Sequence, residues 1–105
     1  MSDKVEVRAY VVQRGTHDYT PLLNHVDKIV YLSSGMLSQF RTGKLYRQLK
    51  AALSDSRPTD YLVPTGLGVT QMIAAAIFAR KHGRLNLLLF NNGRYVKREI
   101  ILREE

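Results

Sequence analysis

The sequence predicts an α/β fold: a small, open, mostly parallel, Rossmann-like sheet with helices packed on it and a C-terminal antiparallel β-hairpin. Short apolar segments alternate with two segments of helical periodicity, which is typical of parallel strands joined by helices. The last two apolar segments are separated only by Asn91-Asn92-Gly93, whose residues accept the positive φ angles of a tight turn. We expect residues 1–105 to form a single α/β domain.

The first part of the chain predicts two strands joined by a loop. β-Branched and aromatic residues indicate a strand over residues 5–13, and the Gly and Pro of residues 14–21 indicate a loop. Thr20 is placed to cap a short turn of helix that begins at Pro21. A second, apolar strand is predicted over residues 28–32.

Apolar residues with helical spacing predict the first of two helices, which begins at Thr42 and ends near Asp55. Pro58 discourages its continuation, because the residue before a proline disfavours helical backbone angles. A short apolar strand over residues 61–64 comes next.

The second helix is predicted over residues 69–82 and is apolar nearly all round, so it needs cover on more than one side. Gly83 supplies the left-handed residue that follows a helix end. Residues 85–90 read as a strand buried on both faces, and residues 94–102 as its hairpin partner.

The charge of the chain indicates anionic partners. The chain contains sixteen Lys and Arg residues and nine Asp and Glu residues, which gives a formal net charge of +7. A field of this sign attracts nucleotides, nucleic acid or acidic protein surfaces, although small basic domains also use such charge for solubility alone.

Composition and segment lengths favour a cytoplasmic protein. Cys is absent, which excludes disulfides and thiolate metal sites and fits a reducing compartment. The first residues contain no apolar signal core, and no apolar run is long enough to cross a bilayer, so we expect neither export nor a membrane.

Polar residues follow each predicted parallel strand, where open α/β sheets bind ligands. After the third strand, Gly66 and Gly68 let the backbone approach a ligand, and Thr65, Thr70 and Gln71 add polar groups. We predict an anion cradle here. A tight strand-to-helix connection is the equally weighted alternative, with Thr70 as the helix N-cap, because a dinucleotide fingerprint would need Gly in place of Gln71.

Five further residues complete the predicted ligand site. Ser33, Ser34 and Arg14 follow the first two strands and are expected opposite the cradle. Arg41 or Lys44 would neutralise a phosphate, although the spacing of glycines before Lys44 does not match a phosphate-binding loop.

No catalytic residue, metal site or cofactor is predicted. The three histidines lack metal-ligand spacing, and no nucleophile motif is present. His17, beside Asp18 in a loop, is the one group with an ordinary pKa suited to acid–base catalysis, but a purely structural role is favoured. We therefore expect a protein that is not an enzyme.

Two segments resemble small uncharacterised α/β proteins of tailed bacteriophages. They are YRQLKAALSDSRPTDYLVPTG (residues 46–66) and FARKHGRLNLLLFNNGRYVKREIIL (residues 78–102). The resemblance implies a protein made in the cytoplasm of an infected bacterium that acts against host enzymes or host immune signalling. Some small phage proteins sequester nucleotide signals, and a basic α/β pocket without catalytic groups is similar to these.

The sequence therefore predicts a non-enzymatic protein that binds an anionic, nucleotide-like ligand at the carboxyl edge of its sheet. One alternative is an inhibitor whose basic surface binds an acidic host protein. Another is a nucleic-acid-binding module, because Phe90 and Tyr95 interleave with basic residues in the hairpin.

A homodimer is also predicted. If one neighbouring helix is its only cover, the second helix would expose Met72, Ala76 and Phe78, and a second copy would cover them. The alternative is that residues 20–25 fold over this surface.

Overall fold

The computed structural model describes residues 5–33 and 40–102, which form one mixed sheet and two α-helices. The strands are β1 (Arg8–Val11), β2 (Lys28–Tyr31), β3 (Tyr61–Val63), β4 (Arg84–Asn91) and β5 (Arg94–Ile101), and the helices are α1 (Thr42–Ala52) and α2 (Gly68–His82). A 3-10 helix over Thr20–Asn24 lies between β1 and β2.

The strand order is β2-β1-β3-β4-β5, with β1 paired in parallel to both β2 and β3. Strand β4 is parallel to β3 and antiparallel to β5. The predicted α/β fold, with a mostly parallel sheet and a C-terminal hairpin, is confirmed. Gly83 has the predicted left-handed conformation after α2, with φ of 68°.

Both faces of the central strands are buried, one by the helices and one by a short segment. Alternate residues of a strand point to opposite faces. Tyr10 therefore packs with Leu49 of α1 and Phe78 of α2 on one face. Val11 packs with Leu22 of the 3-10 helix on the other.

This division of the faces corrects two expectations about α2. Because Leu22 belongs to the opposite face, residues 20–25 do not cover α2. Phe78 is fully buried, at 0% exposure, whereas Met72 is 72% exposed. The predicted apolar surface is therefore smaller than expected, and self-association through it stays a prediction.

Strand β4 departs from the expectation that both of its faces are buried. Asn86 and Leu88 are buried, but Leu89 and Phe90 are exposed. Strand β4 lies between β3 and β5, and its second half extends beyond its pairing with β3, where Leu87 lies opposite Leu62. The exposed half carries the rings described below.

A buried carboxylate fixes the amino edge of the sheet. The Asp60 side chain is fully buried and accepts hydrogen bonds from the backbone N–H groups of Arg8 (2.9 Å) and Arg57 (2.8 Å). The Asn86 side-chain amide donates to the carbonyls of Pro58 (2.7 Å) and Asp60 (2.8 Å). Strands β1, β3 and β4 are therefore joined at this edge by polar contacts that the sequence did not indicate.

The end of α2 contacts the same region through His82. Its Nε2 atom lies 2.9 Å from the Ser56 hydroxyl, and its ring packs edge-on against Phe78 at 4.5 Å. Burial, and then the nearby charge of Lys81, lower the pKa of His82 below its ordinary value of 6.5.

We predict that stability falls as the pH falls through the ordinary His pKa. The unfolded chain takes up a proton on His82 near pH 6.5, but the folded protein does so only at lower pH, so acid favours unfolding. The urea midpoint of the wild type should therefore be lower at about pH 5.5 than at about pH 7.5. The same difference should be smaller for His82→Gln. His25→Gln is the control that keeps the dependence. An equal loss in wild type and His82→Gln would contradict the assignment.

Candidate functional site

The structure brings three of the predicted site residues together at the carboxyl edge of the sheet. Arg14 N donates to the Ser33 carbonyl (2.8 Å), and the Ser33 hydroxyl donates to the Val12 carbonyl (2.6 Å). The Thr65 hydroxyl donates to the Gln13 carbonyl (2.7 Å). The loops after β2, β1 and β3 are therefore in direct contact, in the region where open α/β sheets bind ligands.

Gln13 closes the turn that the sequence predicts as an anion cradle. Its backbone N–H donates to Thr65 Oγ1 (3.0 Å), and its side-chain oxygen accepts the Leu67 N–H (3.0 Å). Leu67 is the N-cap of α2, so the carboxamide oxygen takes the place that an anion oxygen would take at that amide. No sequence signal marks Gln13, because its role depends on β1 lying beside β3.

The two glycines of this turn are in different environments. Gly66 has φ of 84°, and a Cβ atom there would overlap the Gln13 side chain. A Cβ atom on Gly68 would meet nothing within 4 Å. Gly66 is therefore needed for the turn itself, whereas the space beside Gly68 is unfilled.

The start of α2 differs from the predicted capping. Leu67, not Thr70, is the N-cap, and its own side chain makes no capping hydrogen bond. Thr70 lies inside the first turn with 0% exposure, and its hydroxyl has no hydrogen-bond partner within the described part of the chain. Gln71 turns back, and its side-chain amide donates to the Gly66 carbonyl (2.8 Å).

The remaining predicted site residues are not joined to this cluster. Arg41 is the N-cap of α1 and Lys44 lies in its first turn, and both are exposed. In residues 5–33 and 40–102, neither side chain is hydrogen-bonded to the loop residues described above. Ser34 lies outside the described residues.

A pocket of about 330 Å³ opens beside the turn, on the face away from the two helices. Thr65 is shared by the turn and the pocket. Aliphatic residues at the ends of β3 and β4 line part of the pocket, and aromatic rings from the 14–19 loop and the hairpin line another part. These rings are His17, Tyr19, Phe90 and Tyr95. The sequence singled out three of the four separately, but their convergence depends on the sheet order.

The rings pack edge-on in a continuous series. The His17 ring centroid lies 5.2 Å from that of Tyr19 and 4.8 Å from that of Phe90. The series extends from Tyr19 to Tyr31 at 5.8 Å, and the Arg14 guanidinium lies over Tyr31 at 4.9 Å. Rings with a cation at one end suit a planar, negatively charged ligand.

His17 and Asp18 do not form an acid–base pair. The Asp18 carboxylate accepts hydrogen bonds from the Thr20 backbone N–H (3.0 Å) and hydroxyl (2.8 Å). These bonds lower the pKa of Asp18. Among the described residues, no group of three His, Cys, Asp or Glu could hold a metal ion.

Comparison with known protein families identifies the family of the chain. The profile of a family described as phage Pam3 gp32-like protein matches residues 7–102. The chain belongs to this family. The match confirms the resemblance to small phage proteins and covers every strand and helix described above. No curated protein and no solved structure matches the chain.

None of the described helices is long and apolar enough to cross a membrane.

Gly66 and Gly68 provide a matched test of the turn. Gly66→Ala should lower the free energy of unfolding by roughly 1–3 kcal/mol, because the residue needs a positive φ and a Cβ atom meets Gln13. Gly68→Ala should leave it unchanged or raise it by up to about 1 kcal/mol. Urea denaturation measures both, and equal effects would contradict the distinction.

Substitutions of Thr70 and Thr65 provide a second matched test, of the hydrogen bonds around the turn. Thr70→Val keeps the shape and removes a buried hydroxyl without a partner, so the free energy of unfolding should stay constant or rise by about 1 kcal/mol. Thr65→Val removes both hydrogen bonds to Gln13 and should lower it by about 1–3 kcal/mol. Equal destabilisation by the two variants would mean that the Thr70 hydroxyl is bonded in solution.

Proposed function

We propose that the protein binds an anionic, nucleotide-like ligand at the carboxyl edge of the sheet without catalysing a reaction on it. The observation that carries the proposal is the pocket beside Thr65, in which aromatic rings converge and from which the series of rings continues through Tyr31 to the Arg14 guanidinium. Acting in the cytoplasm of an infected bacterium, such a protein would sequester a host signal. Membership of a phage family supports this setting.

The pocket supports binding of a nucleobase. Its volume of about 330 Å³ lies at the lower end of the range for small-molecule sites. Phe90 is 50% exposed at its mouth, so part of the ring is available for stacking. Base–aromatic stacking contributes about 1–3 kcal/mol for each base and accepts every base.

The charges near the pocket support binding of a phosphate. Arg14 is exposed and is held over Tyr31, which belongs to the same series of rings. Gly68 begins α2, where the backbone amides and the helix dipole favour an anion. The Leu67 amide would contribute only if Gln13 moved away, so Arg14 and the open amide at Gly68 are the first contacts. Arg41 and Lys44, at the start of α1, would add positive charge.

Thermal-shift measurements with mononucleotides and cyclic oligonucleotides test the proposal. A ligand at about 100 times its Kd should add about 2.7 kcal/mol of stability. Phe90→Leu should weaken binding by roughly 5- to 100-fold, because a stacking surface is lost. Tyr46→Leu, which removes a half-exposed ring on α1, is the matched control and should have no effect.

A second pair of variants tests the phosphate contact. Arg14→Gln should weaken binding, whereas Lys28→Gln, which loses the same charge at the other edge of the sheet, should not. Equal effects within either pair, or no stabilisation by any nucleotide, would overturn the proposal. Binding to arbitrary DNA or RNA with a fall of about 10³–10⁵ in affinity between about 50 and 200 mM salt would instead favour a nucleic-acid module.

A further inference from the structure

A second concave surface lies between the two helices, on the side away from the sheet. The groove has a volume of about 1390 Å³. Its apolar floor includes Ala51, Ile73, Ala76 and Ile77, of which the two isoleucines also pack against the core beneath the helices. Arg47, Lys50 and Arg80 line its rim. We call this surface the helix groove.

The helix groove is strongly and uniformly basic. Helix α1 carries three Lys and Arg residues and α2 carries two, and neither helix contains Asp or Glu. Within the described part of the chain, the side chains of Arg47, Lys50 and Arg80 form no ion pair with an acidic residue. The rim is therefore a row of cations beside an aliphatic floor.

One end of the helix groove is fixed by a polar contact. The Lys81 ammonium donates to the carbonyls of Leu53 (3.2 Å) and Ser54 (2.6 Å), where α1 ends. This contact holds the ends of the two helices together and satisfies carbonyls that a helix end leaves without partners. A surface held in place before binding loses less conformational entropy when a partner docks.

We infer that the helix groove docks an acidic amphipathic helix of another protein. Such a helix would place its apolar stripe on the Ala51, Ile73, Ala76 and Ile77 floor and its carboxylates against the basic rim. The 15 residues of α2 make the helix about 22 Å long, which matches a docked helix of about four turns. Charge complementarity would also speed the encounter between the two proteins.

Charge and chemistry favour this occupant over two others. A second copy docked by two-fold symmetry would bring the four Lys and Arg residues that line one groove against the same four of the other, with no acid on either helix. Proteins that bind single-stranded nucleic acid stack its bases on aromatic rings, but the floor here is aliphatic. The single ring in the groove, Tyr46, has the Lys50 ammonium over it at 5.7 Å.

The helix groove is independent of the aromatic pocket. The groove lies on the face covered by α1 and α2, and the pocket lies on the other face at the carboxyl edge. Variants in one surface should therefore leave binding at the other unchanged, so the two proposals fail separately.

Fluorescence anisotropy with the full chain and a labelled peptide tests the inference. The peptide has about 18 residues, with Leu at helical i, i+3, i+4, i+7 spacing and Glu at most other positions. It should bind the protein, whereas a scrambled peptide of the same composition should bind at least about ten-fold more weakly. The same Leu pattern with Lys in place of Glu should not bind.

Two variants place the binding on the helix groove. Ala76→Glu puts a charge on the exposed floor, and Arg80→Glu reverses a rim charge, so each should weaken peptide binding by at least about ten-fold. Arg98→Glu makes the same charge reversal on β5 and should leave binding within about two-fold. Circular dichroism confirms that each variant is folded.

Several results would overturn the inference. They are no peptide binding, equal binding of the scrambled peptide, or equal effects of Arg80→Glu and Arg98→Glu. A dimer in light scattering that Ala76→Glu dissociates would assign the groove to a second copy. Displacement of the peptide by single-stranded DNA with a steep salt dependence would assign it to nucleic acid.

Discussion

The fold depends on a buried carboxylate at the amino edge of the sheet. Asp60 has no contact with water, and its two backbone N–H donors come from the start of β1 and from the turn before β3. Burying a carboxylate is costly unless such donors replace its lost hydration. Asn86 then ties β4 to the carbonyls around it. The Asp60 carboxylate and the neighbouring carbonyls bonded by Asn86 therefore join β1, β3 and β4 at the amino edge of the sheet.

Gln13 makes the polar contacts that join neighbouring strands at the carboxyl edge. It joins β1 to the turn after β3 through its backbone and its carboxamide. The boundary between these two strands is thus closed by polar contacts at both ends. The aromatic pocket at this edge lies beside the next strand of the sheet, β4. The exposed half of β4 and the loop after β1 supply rings to it. The protein therefore separates an aromatic surface on one face of the sheet from a basic surface on the other.

The sequence predicted the features that depend on local chemistry. Alternating apolar segments predicted the strands and helices, Asn91-Asn92-Gly93 predicted the hairpin, and Gly83 predicted the end of α2, all as observed. Features that depend on which strands are neighbours were missed. The roles of Gln13 and Asp60 require β1 to lie beside β3, about fifty residues away along the chain, and no local pattern encodes this. The exposure of Phe90 and the burial of Phe78 likewise depend on which face each element covers.

The position of β1 in the middle of the sheet has a consequence for the order of folding. The hairpin of β4 and β5 joins residues close in sequence and can form within microseconds, as hairpins generally do. The bond between Arg8 and Asp60 closes a loop of 52 residues, whose entropy must be lost before any contact compensates for it. On a ribosome, β1 and β2 emerge first but lack both α1 and β3. Their apolar side chains remain uncovered until α1 and β3 have also been synthesised, and during that interval exposed apolar surface makes a nascent chain prone to aggregation.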